Sequence, residues 1–268
     1  MRADRWREYL DRLHPSGLLY ATYEHRLVAE LDTERLPQHV AVLADGNRRW
    51  ARANAPGLPL SEGYKAGARR LRDFVEWCDE IGIPVVTLWV LSTDNFSRAD
   101  DAELGPLLAV IEGLVDELAE TGRWHVNPVG ALDLLPPETA EHLRSVDTET
   151  SEVDGMVVNI AVSYGGRHEL RDAVRSLLAE EARRGTPIEA LAKTLDIEHI
   201  AEHLYTRGQP DPDLIIRTSG EQRLSGFLMW QSAHSEFYFC EALWPDFRKV
   251  DFIRALRAYG QRERRFGR

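Results

Sequence analysis

Short apolar runs alternate along the chain with longer stretches of helical character. Several of the runs are almost continuously apolar, which is typical of parallel strands covered on both faces. Six runs are predicted strands: "HVAVLAD" (39–45), "PVVTLWVLS" (84–92), "WHVNPVG" (124–130), "MVVNIAVS" (156–163), "DLIIRT" (213–218) and "EFYFCE" (236–241). Four stretches are predicted helices: residues 62–81, 104–118, 166–184 and 249–263. The alternation predicts an α/β fold, a single domain with a mostly parallel six-stranded sheet flanked by helices.

Two further segments complete the predicted organisation. Residues 1–36 are predicted to form an N-terminal extension of one or two helices, ahead of a main domain at residues 37–268. Residues 134–155 are predicted to form an exposed helix and a polar loop. We find no internal repeat and no low-complexity linker, so one main domain is the economical interpretation.

The charge balance limits the class of ligand. Among 268 residues, 33 basic and 44 acidic side chains give a net charge of −11, which argues against binding to nucleic acid. A small anionic substrate is still possible, because a local arginine cluster can oppose the global charge. The C-terminal stretch 247–268 is such a cluster, with eight Lys or Arg against two acids.

Cysteine usage and hydropathy indicate the compartment. Cys78 and Cys240 form no CxxC pair, so neither a disulfide framework nor a zinc site is expected. No apolar run reaches the roughly 18 residues of a membrane span, and the charged N-terminus lacks a signal-peptide core. The sequence predicts a cytoplasmic protein, and transient peripheral contact with the inner face of the membrane stays open.

Charged and polar side chains follow several predicted strands. In open α/β sheets, ligands bind beyond the carboxyl ends of the strands. The groups found there are Asp45, Gly46, Asn47, Arg48 and Arg49, then Ser92, Thr93, Asp94, Asn95 and Arg98, then residues 164–167, and then Arg217, Glu221, Arg223 and Ser225, while the last strand begins at Glu236. Arginine suits phosphate oxygens, and Mg²⁺ takes one or two carboxylates. The inventory predicts a phosphorylated ligand held with Mg²⁺.

Each of these groups taken alone also fits a structural role. The alternatives are a turn at Asp45–Gly46, surface ion pairs among Arg217, Glu221 and Arg223, an ordinary pair or cap at Glu236, a helix N-cap at Ser92–Asn95, a turn into a helix at residues 164–167, and a solvated face for the basic C-terminal helix. Their shared position at strand ends favours a site. The chain lacks a P-loop, a GxGxxG turn, a GxSxG elbow and a complete DDxxD motif.

The order of the motifs resembles that of the cis-prenyltransferases, the Z-isoprenyl diphosphate synthases that include undecaprenyl diphosphate synthase. The motifs are "ADGNRRWA", "VLSTDNFSR", "YGGR", "DPDLIIRTSGEQRLSGFLMWQ", "SEFYF", "WPDF" and "RERRFG", and the resemblance spans residues 38–268. It implies a parallel α/β sheet with a hydrophobic tunnel, a homodimer, and Mg²⁺-dependent addition of isopentenyl diphosphate to an allylic diphosphate. Residues 37–268 would then be the catalytic domain.

The resemblance also assigns roles by position. Asp45 matches the metal-linked catalytic aspartate, Asn47 the catalytic amide, and Glu236 a second metal-associated carboxylate. The residues that match substrate-binding positions are Gly46, Arg48, Arg49, Trp50 and Arg98 in and near the loop around the allylic diphosphate, Tyr64, Ser92, Asp94 and Asn95, the isopentenyl diphosphate ligands Arg217, Arg223 and Ser225, and the C-terminal Arg265 and Gly267, which reach into the partner subunit.

This sequence departs from the family pattern at a few positions. Tyr64 stands where the family usually has histidine, and a phenol donates a hydrogen bond but carries no positive charge near neutral pH. Asp94 replaces the commoner glutamate, and residues 53–60 lack an arginine of long-chain members. Phosphate binding is therefore expected to depend more on Arg49 and Arg98.

Val90 is the candidate for control of product length. It lies two residues before Ser92, about 6.6 Å deeper along a strand, in the expected path of the growing tail. Long-chain relatives usually carry alanine there, so the resemblance implies a short-chain product, (2Z,6E)-farnesyl diphosphate made from geranyl diphosphate. The alternatives are a Val90 that belongs only to the strand core, a longer-chain synthase, and a catalytically silent partner subunit.

Overall fold

Six parallel strands form one sheet in the order β3-β4-β2-β1-β5-β6. The computed structural model describes residue 31, residues 35–98 and residues 101–261, without the side chains of residues 97, 98, 101 and 102. The strands are β1 His39–Leu43, β2 Val85–Trp89, β3 Trp124–Val129, β4 Met156–Ala161, β5 Leu214–Arg217 and β6 Glu236–Phe239. All six predicted strands are present, and the predicted α/β class is confirmed.

The helices of the described chain are α1 Asn47–Asn54, α2 Ser61–Ile81, α3 Thr93–Arg98, α4 Asp101–Ala119, α5 Pro137–Thr150, α6 Gly166–Arg184, α7 Ile188–Thr194, α8 Ile197–Ala201 and α9 Lys249–Gly260. The four predicted helices correspond to α2, α4, α6 and α9. The residues expected in a loop after β1 instead form α1. The short helices α7 and α8 were not predicted.

Helix α5 corrects one prediction. The segment was expected to be exposed, but its Ala140, Leu143 and Val146 are buried. These positions have helical spacing, and α5 packs on β3 and α4. The segment is mostly polar and has only one buried apolar residue in each turn. Its buried face is therefore not evident from composition.

The chain divides into two compact units. Gln38–Asp246 contains the whole sheet, and Phe247 begins the part of the second unit that includes α9. The domain boundary predicted at residue 37 stays a prediction, because most of residues 1–36 lie outside the described residues. No helix of the described chain is long and apolar enough to cross a membrane.

One face of the sheet is covered by the segment that follows β5. Ala41 and Leu43 of β1 pack there against Phe227 and Leu228. The ring of Trp89 stacks on that of Phe227, with ring centroids 5.1 Å apart. The segment after β5 is therefore fixed over the sheet, and its polar residues are held near the carboxyl ends of the strands.

A buried polar network crosses the middle of the sheet. His39 is 1% exposed, and its Nδ1 lies 2.7 Å from the carbonyl oxygen of Pro210. Its Nε2 lies 2.8 Å from Thr87 Oγ1, which also accepts a hydrogen bond from Asn159 Nδ2. Because Nδ1 faces a carbonyl, it carries the proton of a neutral ring and Nε2 accepts. Burial lowers the pKa of His39 to about 4.

This network predicts a pH-dependent stability. The unfolded state binds a proton at His39 below about pH 6.5, whereas the folded state does not do so until about pH 4. The free energy of unfolding should therefore fall as pH falls through that window, by about 3 kcal/mol from this residue. Urea unfolding at several pH values should show a flatter profile for His39→Gln than for wild type. The exposed control His234→Gln should keep the wild-type slope, and equal slopes for all three proteins would contradict the assignment.

Candidate active site

Asp45 is held by its backbone at the carboxyl end of β1. Its N–H donates to Thr218 Oγ1 at 3.0 Å, and its carbonyl oxygen accepts from the Trp244 N–H at 2.9 Å. The side chain is 41% exposed. The backbone is thus fixed on both sides, and the carboxylate remains accessible to a ligand.

Arg217, the last residue of β5, faces Asp45. Its side chain is 5% exposed, and Nη2 donates to Asp45 Oδ2 at 3.2 Å. Nη1 donates to Ser225 Oγ at 3.1 Å and to the carbonyl oxygen of Arg223. Burial lowers the pKa of Arg217 and the Asp45 carboxylate opposes that shift, so the guanidinium stays charged. Its Nε has no hydrogen-bond partner among the described residues.

The backbone around this pair adopts sparsely populated conformations. In the described chain, the non-glycine residues with positive φ are Ser163, Ser219, Ser225 and Leu228. All four follow the carboxyl ends of β4 or β5. Such residues cost of order 1–3 kcal/mol each and cluster at functional sites. The strain therefore marks the same edge of the sheet as the charged pair.

A pocket of about 700 Å³ opens at this edge. Its lining includes the predicted site residues Asp45, Val90, Ser92, Asp94, Asn95, Arg217, Arg223 and Ser225. Ser92 Oγ also accepts the Asn95 N–H at 3.0 Å, so the N-cap interpretation of that stretch is compatible with its place in the pocket. Arg223 pairs with Glu221 at 2.5 Å, with a side chain 67% exposed.

The pocket also contains residues to which the sequence analysis gave no site role. Arg167 and Tyr164 were named only as part of the segment after β4, and His168 was missed; all three line the pocket together with Trp89. The start of a 19-residue helix favours an anion through its backbone N–H groups and dipole. The available signal was the motif "YGGR" after β4, whose glycines were interpreted as a turn.

Helix α1 lies beside Asp45 but outside the large pocket. Gly46 precedes it with φ +112°, a conformation that favours glycine, and no side chain caps the first turn. Arg49 Nη2 lies 3.7 Å from Asp45 Oδ2, and its Nη1 donates to the Ser219 carbonyl oxygen at 3.4 Å. Trp50 Nε1 donates to Asp246 Oδ1 at 2.8 Å, so Trp50 anchors α1 away from the pocket.

Tyr64 connects three helices. Its hydroxyl accepts from Arg48 Nε at 2.8 Å and donates to Glu103, which also pairs with Arg48 at 2.8 Å. Burial raises the pKa of Tyr64, and the hydrogen bond to Tyr64 raises that of Arg48. The phenol at this position therefore holds an arginine of α1 in place directly, together with a carboxylate of α4.

A second, apolar cleft lies behind the pocket. Its volume is about 30 Å³, far smaller than that of the polar pocket. It is lined by Ala44, Asn47, Tyr64, Gly67, Ala68, Leu71, Val90, Leu107, Val110, Ile111 and Leu114. Ala44 and Val90 line both the pocket and the cleft. Val90 therefore stands at the boundary between a polar cavity and an almost filled apolar space.

Within one chain, Glu236 lies at the edge of the sheet opposite to Asp45, so its predicted role as a second metal-associated carboxylate stays a prediction. Glu236 is the first residue of β6 and pairs with Leu214, which pairs with Val40 of β1. Asp45 lies beyond Leu43, which is already about 10 Å further along β1 than Val40. In a parallel sheet the start of a strand lies at the edge opposite to the strand ends. Glu236 was assigned to the site because its motif matched, although the motif opens a strand.

Asp45 is the carboxylate that lies beside Arg217 at this edge, and Asp94 also lines the pocket. The described chain contains no group of three or more His, Cys, Asp or Glu side chains placed to hold a metal. The contacts of Asp45 with Arg217 and Arg49 are both made by Oδ2, so Oδ1 is the oxygen that a metal ion could bind. Mg²⁺ commonly binds one or two carboxylates and completes its shell with water and phosphate, so the residues present fit Mg²⁺. The side chain of Arg98, and Arg265 and Gly267, lie outside the described residues.

Comparison with known proteins adds to this geometry. A family model described as putative undecaprenyl diphosphate synthase matches residues 43–267. The chain is 59% identical over 249 residues to a protein of Thermobifida fusca named (2Z,6E)-farnesyl diphosphate synthase, a match that covers 93% of this chain and 97% of the relative. It is 54% identical over 250 residues to isoprenyl transferase 1 of Streptomyces avermitilis, covering 93% and 96%.

A solved structure shows the same fold. The crystal structure of lavandulyl diphosphate synthase from Lavandula x intermedia, in complex with dimethylallyl diphosphate, matches with a TM-score of 0.80 at 31% sequence identity. The match covers 88% of this chain and 100% of that chain. Together with the family model, these likenesses extend over the strand ends that carry Asp45 and Arg217. The chain belongs to the cis-prenyltransferase family, the family of undecaprenyl diphosphate synthase.

Proposed function

We propose that this chain condenses isopentenyl diphosphate with geranyl diphosphate in the cis configuration to give (2Z,6E)-farnesyl diphosphate. The observation that carries the proposal is the position of Val90, which lines both the polar pocket and the separate apolar cleft. The polar pocket of about 700 Å³ has room for diphosphate groups, and the apolar cleft of about 30 Å³, which must open to admit any prenyl tail, has the branched side chain of Val90 in its wall. The name of the Thermobifida fusca relative supports the same product.

Isopentenyl diphosphate is placed in the large pocket. Arg217, Arg223 and Ser225 follow β5 and line the cavity, and Arg167 faces it from the start of α6. Three guanidinium groups offset the charge of a diphosphate, and their planar forks match its oxygens. Ser225 keeps its hydroxyl in place through the contact with Arg217.

The allylic diphosphate is placed at the start of α1. Arg49 and the uncapped first turn of the helix lie next to Asp45, and Arg48 is held nearby by Tyr64. The uncapped N–H groups of Asn47, Arg48 and Arg49 are donors for phosphate oxygens. Asn47 also lines the apolar cleft, so its carboxamide lies where the first carbons of the prenyl chain would enter.

The reaction moves one electron pair at each step. The C–O bond at C1 of the allylic diphosphate breaks, and diphosphate leaves with the electron pair. The C3=C4 double bond of isopentenyl diphosphate forms a bond from its C4 to that allylic C1. Loss of a proton from C2 of the isopentenyl unit then gives a double bond between its C2 and C3. Mg²⁺ held by Asp45 would neutralise diphosphate charge. The arginines and backbone amides offset the charge that develops as the leaving group departs. Asp45, a diphosphate oxygen and a bound water are the candidate proton acceptors.

Assembly and location complete the proposal. The chain acts as a homodimer, in which Arg265 and Gly267 of the C-terminal element complete the partner's site. It works in the cytoplasm and makes transient peripheral contact with the inner face of the membrane when an apolar product leaves. The net charge of −11 supports the absence of a nucleic-acid partner.

A labelled incorporation assay tests the proposal. Wild-type protein with Mg²⁺ and radiolabelled isopentenyl diphosphate should extend geranyl diphosphate by one unit, because Val90 stands in the wall of the narrow apolar cleft. Chromatography after phosphatase treatment should give Z,E-farnesol as the main product. Products of about ten isoprene units or more would contradict a short tail space and favour the longer-chain alternative. Incorporation at background level with every acceptor would favour the silent subunit.

Substitution of Val90 tests the boundary between the two spaces. Val90→Ala should join the pocket to the apolar cleft and add at least one isoprene unit to the main product, while incorporation stays within about threefold of wild type. Val86→Ala is the matched control, because Val86 is a buried valine of β2, four residues before Val90, that lines neither space. If both variants keep the wild-type product, Val90 is only a core residue of the strand.

A further inference from the structure

Two glycines of α2 lie directly under the start of α1. A Cβ at Gly63 would lie 2.3 Å from the backbone oxygen of Asn47 and 2.9 Å from Ala51 Cβ. A Cβ at Gly67, one turn later, would lie 2.5 Å from Asn47 Oδ1 and 2.9 Å from both Cγ and Nδ2. Gly63 therefore admits the backbone of α1, and Gly67 admits the carboxamide of Asn47.

The carboxamide is positioned by this packing and not by hydrogen bonds. Asn47 Oδ1 is buried and has no partner among the described residues. The side chain lines a cleft whose other walls include Ala44, Val90 and Leu107. A polar atom buried without a hydrogen bond is costly, and such an atom needs an explanation such as a bound ligand or a catalytic role. The space above Gly67 is what holds the amide in this costly place.

We infer that Gly67 is a positioning residue for the reaction, and that its missing side chain sets the orientation of the Asn47 carboxamide at the mouth of the apolar cleft. The inference rests on the proposed function, in which Asn47 lies beside the reacting carbons. All three atoms of the carboxamide lie within 2.9 Å of the would-be Cβ, so a methyl group there displaces the whole amide. The carboxamide can rotate, so the displacement costs orientation and not the fold.

Gly63 provides a comparison with a different expected result. Its would-be Cβ meets a backbone oxygen and a Cβ atom of α1, which cannot rotate away. Gly63→Ala should therefore lower the thermal midpoint whatever residue occupies position 47. Gly67→Ala should leave the thermal midpoint near that of wild type, since alanine favours a helix interior. Gly113→Ala is the neutral control, because Gly113 lies in α4 with no atom within 4 Å of its would-be Cβ.

The experiment is a double-mutant cycle between positions 47 and 67, assayed with geranyl and isopentenyl diphosphates. Gly67→Ala should lower kcat by at least about tenfold with the KM for isopentenyl diphosphate within about twofold of wild type, as for a misplaced catalytic group. In the Asn47→Ala background, the same change should leave the residual kcat and the thermal midpoint unchanged. Gly113→Ala should keep the wild-type kcat.

A second measurement is independent of turnover. In ¹⁵N-labelled protein, the side-chain NH₂ signal of Asn47 is the one that Asn47→Ala removes. Gly67→Ala should shift that signal, and Gly113→Ala should leave it in place. An unshifted signal, or an equal loss of kcat from Gly67→Ala in both backgrounds, would overturn the inference. So would failure of both Gly67→Ala and the double variant to fold, since removal of the carboxamide should relieve the clash.

The two measurements separate this inference from the proposed function. If wild type makes no product but the Asn47 signal responds to Gly67→Ala alone, the packing is established and the proposed reaction fails. If wild type condenses its substrates and Gly67→Ala turns over at the same rate, the reaction stands and the positioning role is lost.

Discussion

The contact between Arg217 and Asp45 joins strand ends that lie 172 residues apart in the chain. The contact forms because β1 pairs with β5 in parallel, with Leu43 opposite Arg217. Both strands therefore end at the same edge of the sheet. The guanidinium is 5% exposed, and burial of a charge on this scale is weak support for stability even when the charge is paired. Its retention is better explained by the ligand that it can hold.

The surroundings of this pair are organised to keep it in place. Arg217 also binds Ser225 and the backbone of Arg223, both in a segment with positive φ values. That segment is fastened to the sheet by Phe227, which stacks on Trp89. The aromatic packing therefore holds the strained backbone, and the strained backbone holds the donors around the pocket. On the other side of Asp45, the Tyr64 hydroxyl and Glu103 both bind Arg48, so both walls of the site are supported by neighbouring elements.

The sequence was sufficient for the architecture and for part of the site. Continuous apolar runs marked the six strands, and the rule that ligands bind beyond strand ends brought Asp45 and Arg217 to one edge before any coordinates were known. Glu236 was assigned by motif and not by this rule, and it opens its strand at the opposite edge of the sheet. The partners of Tyr64 and the seat of Asn47 over Gly67 depend on how α1, α2 and α4 cross, and no local periodicity carries that information.

We propose that Asp45 holds the metal that binds diphosphate beside Arg217, and the other roles assigned to the site depend on this one. The direct test is the dissociation constant for isopentenyl diphosphate, measured by calorimetry with and without Mg²⁺ in wild type and in Asp45→Asn, together with kcat. Mg²⁺ should tighten binding at least about tenfold in wild type and less than about twofold in Asp45→Asn, whose kcat should fall by at least about a thousandfold. An equal effect of Mg²⁺ on both proteins, or near-normal turnover by Asp45→Asn, would contradict the account.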